Sequence, residues 1–199
     1  MIEDWSRLPV GAMGIPAGWH GVEQGGSAYD MTIVADAGRT VLHLKSTNGS
    51  ISIRKDIKGK IDLKKTPILE WSWKAIILPK GGDSRDEDKG DMAVQLYVTC
   101  PRFLAAVRSR TIGYVWDTTA PQGTIVRWKA VSAAVLVVIR SGPGDLGNWV
   151  TERRNIYEDF KTIYGEYPDD PAAIFIVSNS NKTNSTAESY MGPILFRPL

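Results

Sequence analysis

Cysteine and histidine are nearly absent from this chain of 199 residues, which holds one of the former and two of the latter. A single cysteine, Cys100, excludes an intrachain disulfide and any cysteine-based zinc site. It ends an apolar stretch, where a thiol is expected as a small buried hydrophobe. With only His20 and His43, a histidine metal site would need both rings plus acids, and nothing in the spacing brings them together. No Gly-x-Ser-x-Gly elbow, P-loop or dinucleotide-binding glycine pattern is present. Apolar runs stop well short of ~20 residues, so no membrane span is expected. The opening Met1-Ile2-Glu3-Asp4-Trp5 has neither a basic nor an apolar leader region, and no signal peptide is expected in it. Charge is nearly balanced, 24 basic against 22 acidic residues, and a net +2 gives no case for nucleic acid. The densest basic stretch, Arg54 to Lys65, is interrupted by Asp56 and Asp62 and reads as a solvated strand face and turn.

Strand signals run through most of the sequence. Short alternating segments span Tyr29 to Ala35, Arg39 to Ser46, Ser50 to Lys58, Ile68 to Leu78, Asp91 to Cys100, Thr111 to Asp117, Ile125 to Ala130, Ala134 to Arg140, Ala172 to Val177 and Met191 to Arg197. Asp36-Ala37-Gly38 and Asn48-Gly49 separate the first three, and Asn48-Gly49 predicts a hairpin. Ala134 to Ile139 is apolar on both faces and predicts a central strand covered on both sides, the helix being a candidate cover. That one helix is expected from Asn148 to Tyr164, capped by Asn148 or Thr151 and stopped by Gly165. Ile156, Phe160, Ile163 and Tyr164 form its core stripe, with Arg153, Arg154, Glu158, Asp159 and Lys161 on the wet side. The polar tract Ser178 to Ser189 reads as a long surface loop. The expected fold is mainly β, a single domain over 1–199. It is a two-layer, jelly-roll-like antiparallel β-sandwich with one long helix in the C-terminal half.

Two features are candidates for chemistry. The loop Gly82 to Asp91 carries five acids, and hard cations are held by several nearby oxygens. Asp83, Asp86, Asp88 and Asp91 are therefore candidate ligands for a weakly held calcium ion. EF-hand spacing is missing, and Arg85 and Lys89 sit among the acids, so a solvated loop is the simpler reading. Aromatics are the other feature. Trp71 and Trp73 share one strand face, as do Tyr114 and Trp116, and such pairs are usually core. At least Trp73 is expected to be buried. The opposite face of the first strand reads Glu70, Ser72, Lys74, and another strand offers Gln95, Tyr97 and Thr99. Ser72, Lys74, Gln95, Tyr97 and Trp116 together are the expected ligand face, with a carbohydrate as the ligand.

Several segments, in order along nearly the whole chain, carry a resemblance. They include Pro16-Ala17-Gly18-Trp19, Leu69-Glu70-Trp71-Ser72-Trp73-Lys74, Asp83-x-Arg85, Asp91 to Val98, Tyr114-Val115-Trp116, Leu146-Gly147-x-Trp149, Arg154 to Phe160 and Ser178-Asn179-Ser180-Asn181-x-Thr183. With these the chain resembles a bacterial family, domain of unknown function number 3047. The resemblance implies an exported or periplasmic protein and no particular reaction. That family's pattern favours aspartate where this chain has Asn179 and Asn181, and arginine where Gln95 stands. The overall pattern is also similar to jelly-roll sugar-binding sandwiches, an analogy of fold.

Three functions fit these residues. The first is a non-catalytic binding domain for a carbohydrate or cell-envelope polymer. The second is a polysaccharide-active enzyme, with Glu70, Asp91 and Asp117 as the acids to nominate. The third is a structural or protein-interaction domain. No acid pair lies on one strand face, which favours the first.

Overall fold

The computed structural model describes residues 1–22, 30–102, 105–128 and 134–199. Expectations for Tyr29 and Ala130 lie outside them. Strands alternate between inward apolar and outward residues, and they assemble in two layers. In chain order they are β1 (His20–Gly21), β2 (Met31–Asp36), β3 (Arg39–Thr47), β4 (Ser50–Asp56), β5 (Ile68–Ile77) and β6 (Val94–Arg102). Then follow β7 (Ala105–Asp117), β8 (Ile125–Arg127), β9 (Ala134–Ser141), β10 (Val150–Asn155), the helix α1 (Ile156–Tyr164), β11 (Ala173–Asn179) and β12 (Thr186–Arg197). A seven-stranded sheet runs β1-β4-β11-β6-β7-β9-β8 and a five-stranded sheet runs β10-β5-β12-β3-β2. The pairings are antiparallel except that of β7 with β9, which is parallel. A β-sandwich with one helix was expected, and this is one.

The core lies between the sheets. Trp71 and Trp73 are fully buried and meet edge to face at 5.3 Å. Trp71 stacks on Tyr114 at 5.2 Å, and Trp73 meets Trp116 at 6.0 Å, so the four rings tie β5 to β7 across the interlayer space. Cys100 is buried as expected, and burial pushes its thiol above the usual range. The N-terminal segment closes one end. Trp5 and Trp19 stack at 5.6 Å, and Glu3 accepts hydrogen bonds from Trp19 Nε1 and Lys55 Nζ. Burial pushes the Glu3 carboxyl up, but its hydrogen bonds, led by that from Lys55, outweigh this and hold it below its usual value.

Four local expectations are corrected. Asp36-Arg39 is a two-residue hairpin, with Ala37 and Gly38 both at positive φ as a type I′ turn requires. Asn48-Gly49 is not one. It turns the chain out of the five-stranded sheet and into the seven-stranded one, pinned by Ser46 Oγ donating to the Gly49 carbonyl at 2.7 Å. The dipeptide specifies a tight turn, not which strands pair. Second, the helix is nine residues, Ile156–Tyr164, and Val150–Asn155 is a strand on β5. The polar Val150-Thr151-Glu152-Arg153-Arg154-Asn155 segment has no helical apolar stripe, and its burial alternates instead. Asn155 is the cap, accepting from the Glu158 amide at 3.2 Å, and Gly165 stops the helix at φ 77°. Nor is Asp159 wet, its side chain being 13% exposed. Arg154 donates twice to Asp159, which also accepts from the Tyr114 hydroxyl at 2.6 Å. Replacing Asn155 with alanine is expected to lower stability by ~1 kcal/mol in denaturant melts, the usual value of such a cap.

Third, β9 is buried on both faces, while the helix packs chiefly on β5 and β10. Leu136 and Val138 join Met92, Val115 and Ala120 in a second apolar cluster outside the main core. The position of β9 follows from its parallel pairing with β7, which no local pattern reveals. Fourth, the expected loop Ser178 to Ser189 shrinks to residues 180–185, because β12 begins at Thr186. Ala187 and Ser189 face inward, and Ser189 is satisfied there by donating to the Ala93 carbonyl at 3.0 Å. Small polar residues disguised a buried strand.

Candidate functional site

Every second residue of the seven-stranded sheet faces away from the core, and a subset of these residues lines a groove of about 550 Å³. β4 contributes Ser50 and Ser52, while Ile51 and Ile53 between and beyond them enter the core. β6 contributes Gln95, Tyr97 and Thr99, and β11 contributes Phe175, Val177 and Asn179. Thr111, Ala134 and Leu136 extend the floor, and Trp128, Asn181 and Lys182 stand at its side.

A hydrogen-bonded relay crosses the floor. The Tyr97 hydroxyl donates to Gln95 Oε1 at 2.5 Å, and Gln95 Nε2 donates to Asn179 Oδ1 at 2.6 Å. Asn179 Oδ1 also accepts from the Met92 amide, and its Nδ2 donates to the Gly90 carbonyl. Both amides are thereby oriented, and burial pushes the Tyr97 phenol above its usual range, so it stays neutral. Thr99 and Thr111 pair through their hydroxyls at 2.8 Å.

Two glycines seat the aromatic rings. A Cβ on Gly113 would lie 2.4 Å from Tyr97 Cε1, so the ring lies flat on bare backbone. A Cβ on Gly90 would meet Trp128 Cζ2 at 2.4 Å, and Trp128 Nε1 donates to the Ser84 carbonyl at 2.7 Å. The groove thus presents fixed aromatic surfaces beside oriented neutral amides and hydroxyls.

The expected ligand face is divided by this topology. Gln95 and Tyr97 are in the groove. Ser72 and Lys74 are on the outer face of the other sheet, because β5 pairs with β10 and β12 and never with β6. Lys74 Nζ pairs with Asp36 at 2.6 Å and lies over Tyr190 and Trp149. Hydrogen bonds from Lys74 and Trp149 hold the Asp36 carboxyl below its usual range. Ser72 is buried beneath Gly192, where a Cβ would come within 2.2 Å of its Oγ. Trp116 points inward and donates to the Gly142 carbonyl at 3.2 Å.

The acids of the 82–91 loop are turned to separate partners. Arg85 donates to Asp83 through Nε and Nη2, and these bonds pull the Asp83 carboxyl down to about 2. Asp86 accepts from the Asp88 amide in a single 3-10 turn, Glu87–Lys89, and pairs with Lys89. Asp88 itself is exposed. Asp91 is fully buried and accepts from the Thr183 amide and hydroxyl at 2.7 and 2.8 Å. Among the described residues no group of three or more His, Cys, Asp or Glu is placed to hold a metal ion. The other nominated acids are likewise committed. Glu70 pairs with Arg153 and Arg197, and buried Asp117 accepts three backbone amides, from Ser84, Thr119 and Ala120. His43 pairs with Glu188 at 2.9 Å, and His20 lies exposed on β1.

Sequence reasoning missed Ser50, Ser52, Phe175, Trp128 and Lys182. Alternation of Ser50-Ile51-Ser52-Ile53 was a usable signal for the first two. A lone Trp128 next to a turn carried none. Gln95 and Asn179 are in direct contact in the relay.

A family model described as "Protein of unknown function (DUF3047)" matches residues 17–195. No curated protein matches the chain. Among solved structures, the family 11 carbohydrate-binding module of cellulase Lic26A-Cel5E of Clostridium thermocellum is similar, with a TM-score of 0.51 and 10% identity, over 100% of this chain and 94% of that one. The family 11 xylanase from Neocallimastix patriciarum has a TM-score of 0.48 at 9% identity, over 94% and 98%. The CBM22-2 xylan-binding domain from Paenibacillus barcinonensis Xyn10C has one of 0.44 at 8% identity, over 94% of each. At 10% identity the likeness to the first of these is one of fold alone.

Proposed function

This chain belongs to the DUF3047 family, and we propose that it is a non-catalytic domain that binds a carbohydrate or cell-envelope polymer in the groove of its seven-stranded sheet. A sugar ring has an apolar C–H face and a rim of hydroxyls. It is held by flat aromatic surfaces beside groups that both donate and accept hydrogen bonds. Tyr97, Trp128 and Phe175 offer the first, and Ser52, Gln95, Thr99 and Asn179 the second. The observation that carries the reading is that this surface is fixed in advance. Gly113 and Gly90 seat two of the rings, and the Tyr97–Gln95–Asn179 relay orients the amides. Groups already ordered lose little freedom when a ligand arrives.

Binding is favoured over cleavage because glycoside hydrolysis uses two carboxyl groups ~5–10 Å apart across the scissile bond. The described residues lining the groove include no Asp, Glu or His. Likeness in fold to a carbohydrate-binding module agrees with the reading, but residues of the groove carry it.

Affinity electrophoresis against mixed-linkage β-glucan, xylan, polygalacturonate and peptidoglycan, with reducing ends and unsaturated products assayed in parallel, tests this. Retardation by at least one polymer without new ends is expected. Trp128→Ala is expected to weaken it about tenfold or more in a variant that circular dichroism shows to remain folded. Turnover that Glu70→Gln or Asp91→Asn abolishes would establish an enzyme instead, and no retardation by any polymer would remove the binding reading.

A further inference from the structure

We infer that the polymer taken by this groove is anionic, carrying carboxylate or phosphate groups along a glycan or polyol chain. This rests on the carbohydrate reading and concerns the charge of the ligand. Two of the three aromatic platforms have a cation over them. Lys182 Nζ lies 4.8 Å from the Trp128 ring centroid, and Arg54 Cζ lies 5.9 Å from that of Phe175. Arg54 and Phe175 face each other in register on β4 and β11, and Lys182 follows Asn179 and Asn181 in the loop after β11. The cations therefore stand at opposite ends of the groove. Roughly 13 Å of strand separates position 175 from position 179, at ~3.3 Å per residue. A chain of several units lying along β11 passes both.

Neither cation is firmly used by the protein. Lys182 is exposed, donates to the Glu87 backbone carbonyl and covers an indole. Arg54 pairs with Asp56 at 2.5 Å, but their side chains are 46% and 55% exposed, and such pairs contribute little and exchange readily. Lys182 is the only charged residue among the described lining residues. A neutral glucan would stack on the same rings and leave both charges idle. An anionic chain gains a charge-assisted hydrogen bond at each end while its sugar faces stack between them. The charges also concentrate such a chain near the groove.

Calorimetric titration of the whole chain with three probes decides it: oligogalacturonate, wall teichoic acid and a mixed-linkage β-glucan oligosaccharide. At least one anionic probe is expected to bind more tightly than the glucan and to weaken several-fold between about 0.02 and 0.2 M salt. Which anionic probe binds identifies carboxylate or phosphate as the group recognised. Lys182→Gln and Arg54→Gln are each expected to lower the ratio of anionic to neutral affinity about fivefold, and Lys182→Arg to retain it. Lys65→Gln, at an exposed lysine paired with Asp62, is the control and should match the parent. Glucan bound as tightly as both anionic probes at low salt, with ratios unchanged in both variants, would overturn the charge inference and leave the carbohydrate reading standing. Failure of both anionic probes to bind would also overturn the charge inference, while the carbohydrate reading falls only if no polymer of the panel above retards the chain.

Discussion

Replacing Phe160 with alanine is expected to cost ~3–5 kcal/mol in denaturant melts, the range for a large buried aromatic. Phe160 is 1% exposed and belongs to the core cluster between the sheets. Its ring meets Tyr164 at 5.3 Å, and Ile156 is buried one turn before it. A helix of nine residues has little stability of its own, so this apolar stripe holds it in place. Loosening it also disturbs the Arg154–Asp159–Tyr114 network, whose Asp159 sits on the same helix. A loss below about 1 kcal/mol would mean that the site collapses around the missing ring or that the stripe contributes little.

Gly113→Val is expected to close the groove. The first added carbon would stand 2.4 and 2.7 Å from two carbons of the Tyr97 ring and 2.9 Å from Leu136 Cδ2. Core residues of β6 lie on the other side of the sheet, so the ring has only the groove to move into. That movement breaks its 2.5 Å hydrogen bond to Gln95 and displaces the amide relay. Overpacking of this kind costs ~1–3 kcal/mol. Affinity for the bound polymer should fall by more than an order of magnitude, beyond what one lost contact explains. A variant with parental melting temperature and affinity would show that Tyr97 is not held by the bare backbone of β7.

Much of this fold was legible because alternation is local. Trp71-x-Trp73 and Tyr114-x-Trp116 each place two large rings on one strand face, and burial of such pairs follows from area alone. Gln95-x-Tyr97 was legible as a polar face for the same reason. Strand neighbours were not legible. Glu70-x-Ser72-x-Lys74 and Gln95-x-Tyr97-x-Thr99 look like adjoining faces in sequence, but residues 78–93 carry the chain from one sheet to the other. Pairing is decided by long-range registry, which no window of ten residues contains. Val150–Asn155 failed differently. Its charges suggested a wet helix, whereas its place at the edge of the five-stranded sheet lets alternate side chains reach solvent.

The site divides along the same line. Tyr97 and Gln95 could be named from their strand, but the parts that fix them could not. Gly113 looks like a β-strand weakness until the ring of Tyr97 is placed on it. Gly90 looks like a loop residue until Trp128 covers it. The acids of the 82–91 loop suggested a cation because sequence shows their density but not their direction. Asp83 turns to Arg85, Asp86 to the Asp88 amide and Lys89, and Asp91 to Thr183.

Titration of the isotopically labelled domain with oligogalacturonate and β-glucan oligosaccharides, followed by proton–nitrogen NMR, tests the groove most directly. The side-chain amides of Gln95 and Asn179 and the indole N–H of Trp128 all report from it. The indole N–H of Trp149 reports from the outer face of the five-stranded sheet, where it donates to Asp36 at 2.5 Å. The account predicts saturable shifts of the first three resonances, with Trp149 unmoved. Saturable shifts of Trp149 with Gln95, Asn179 and Trp128 unmoved would contradict it.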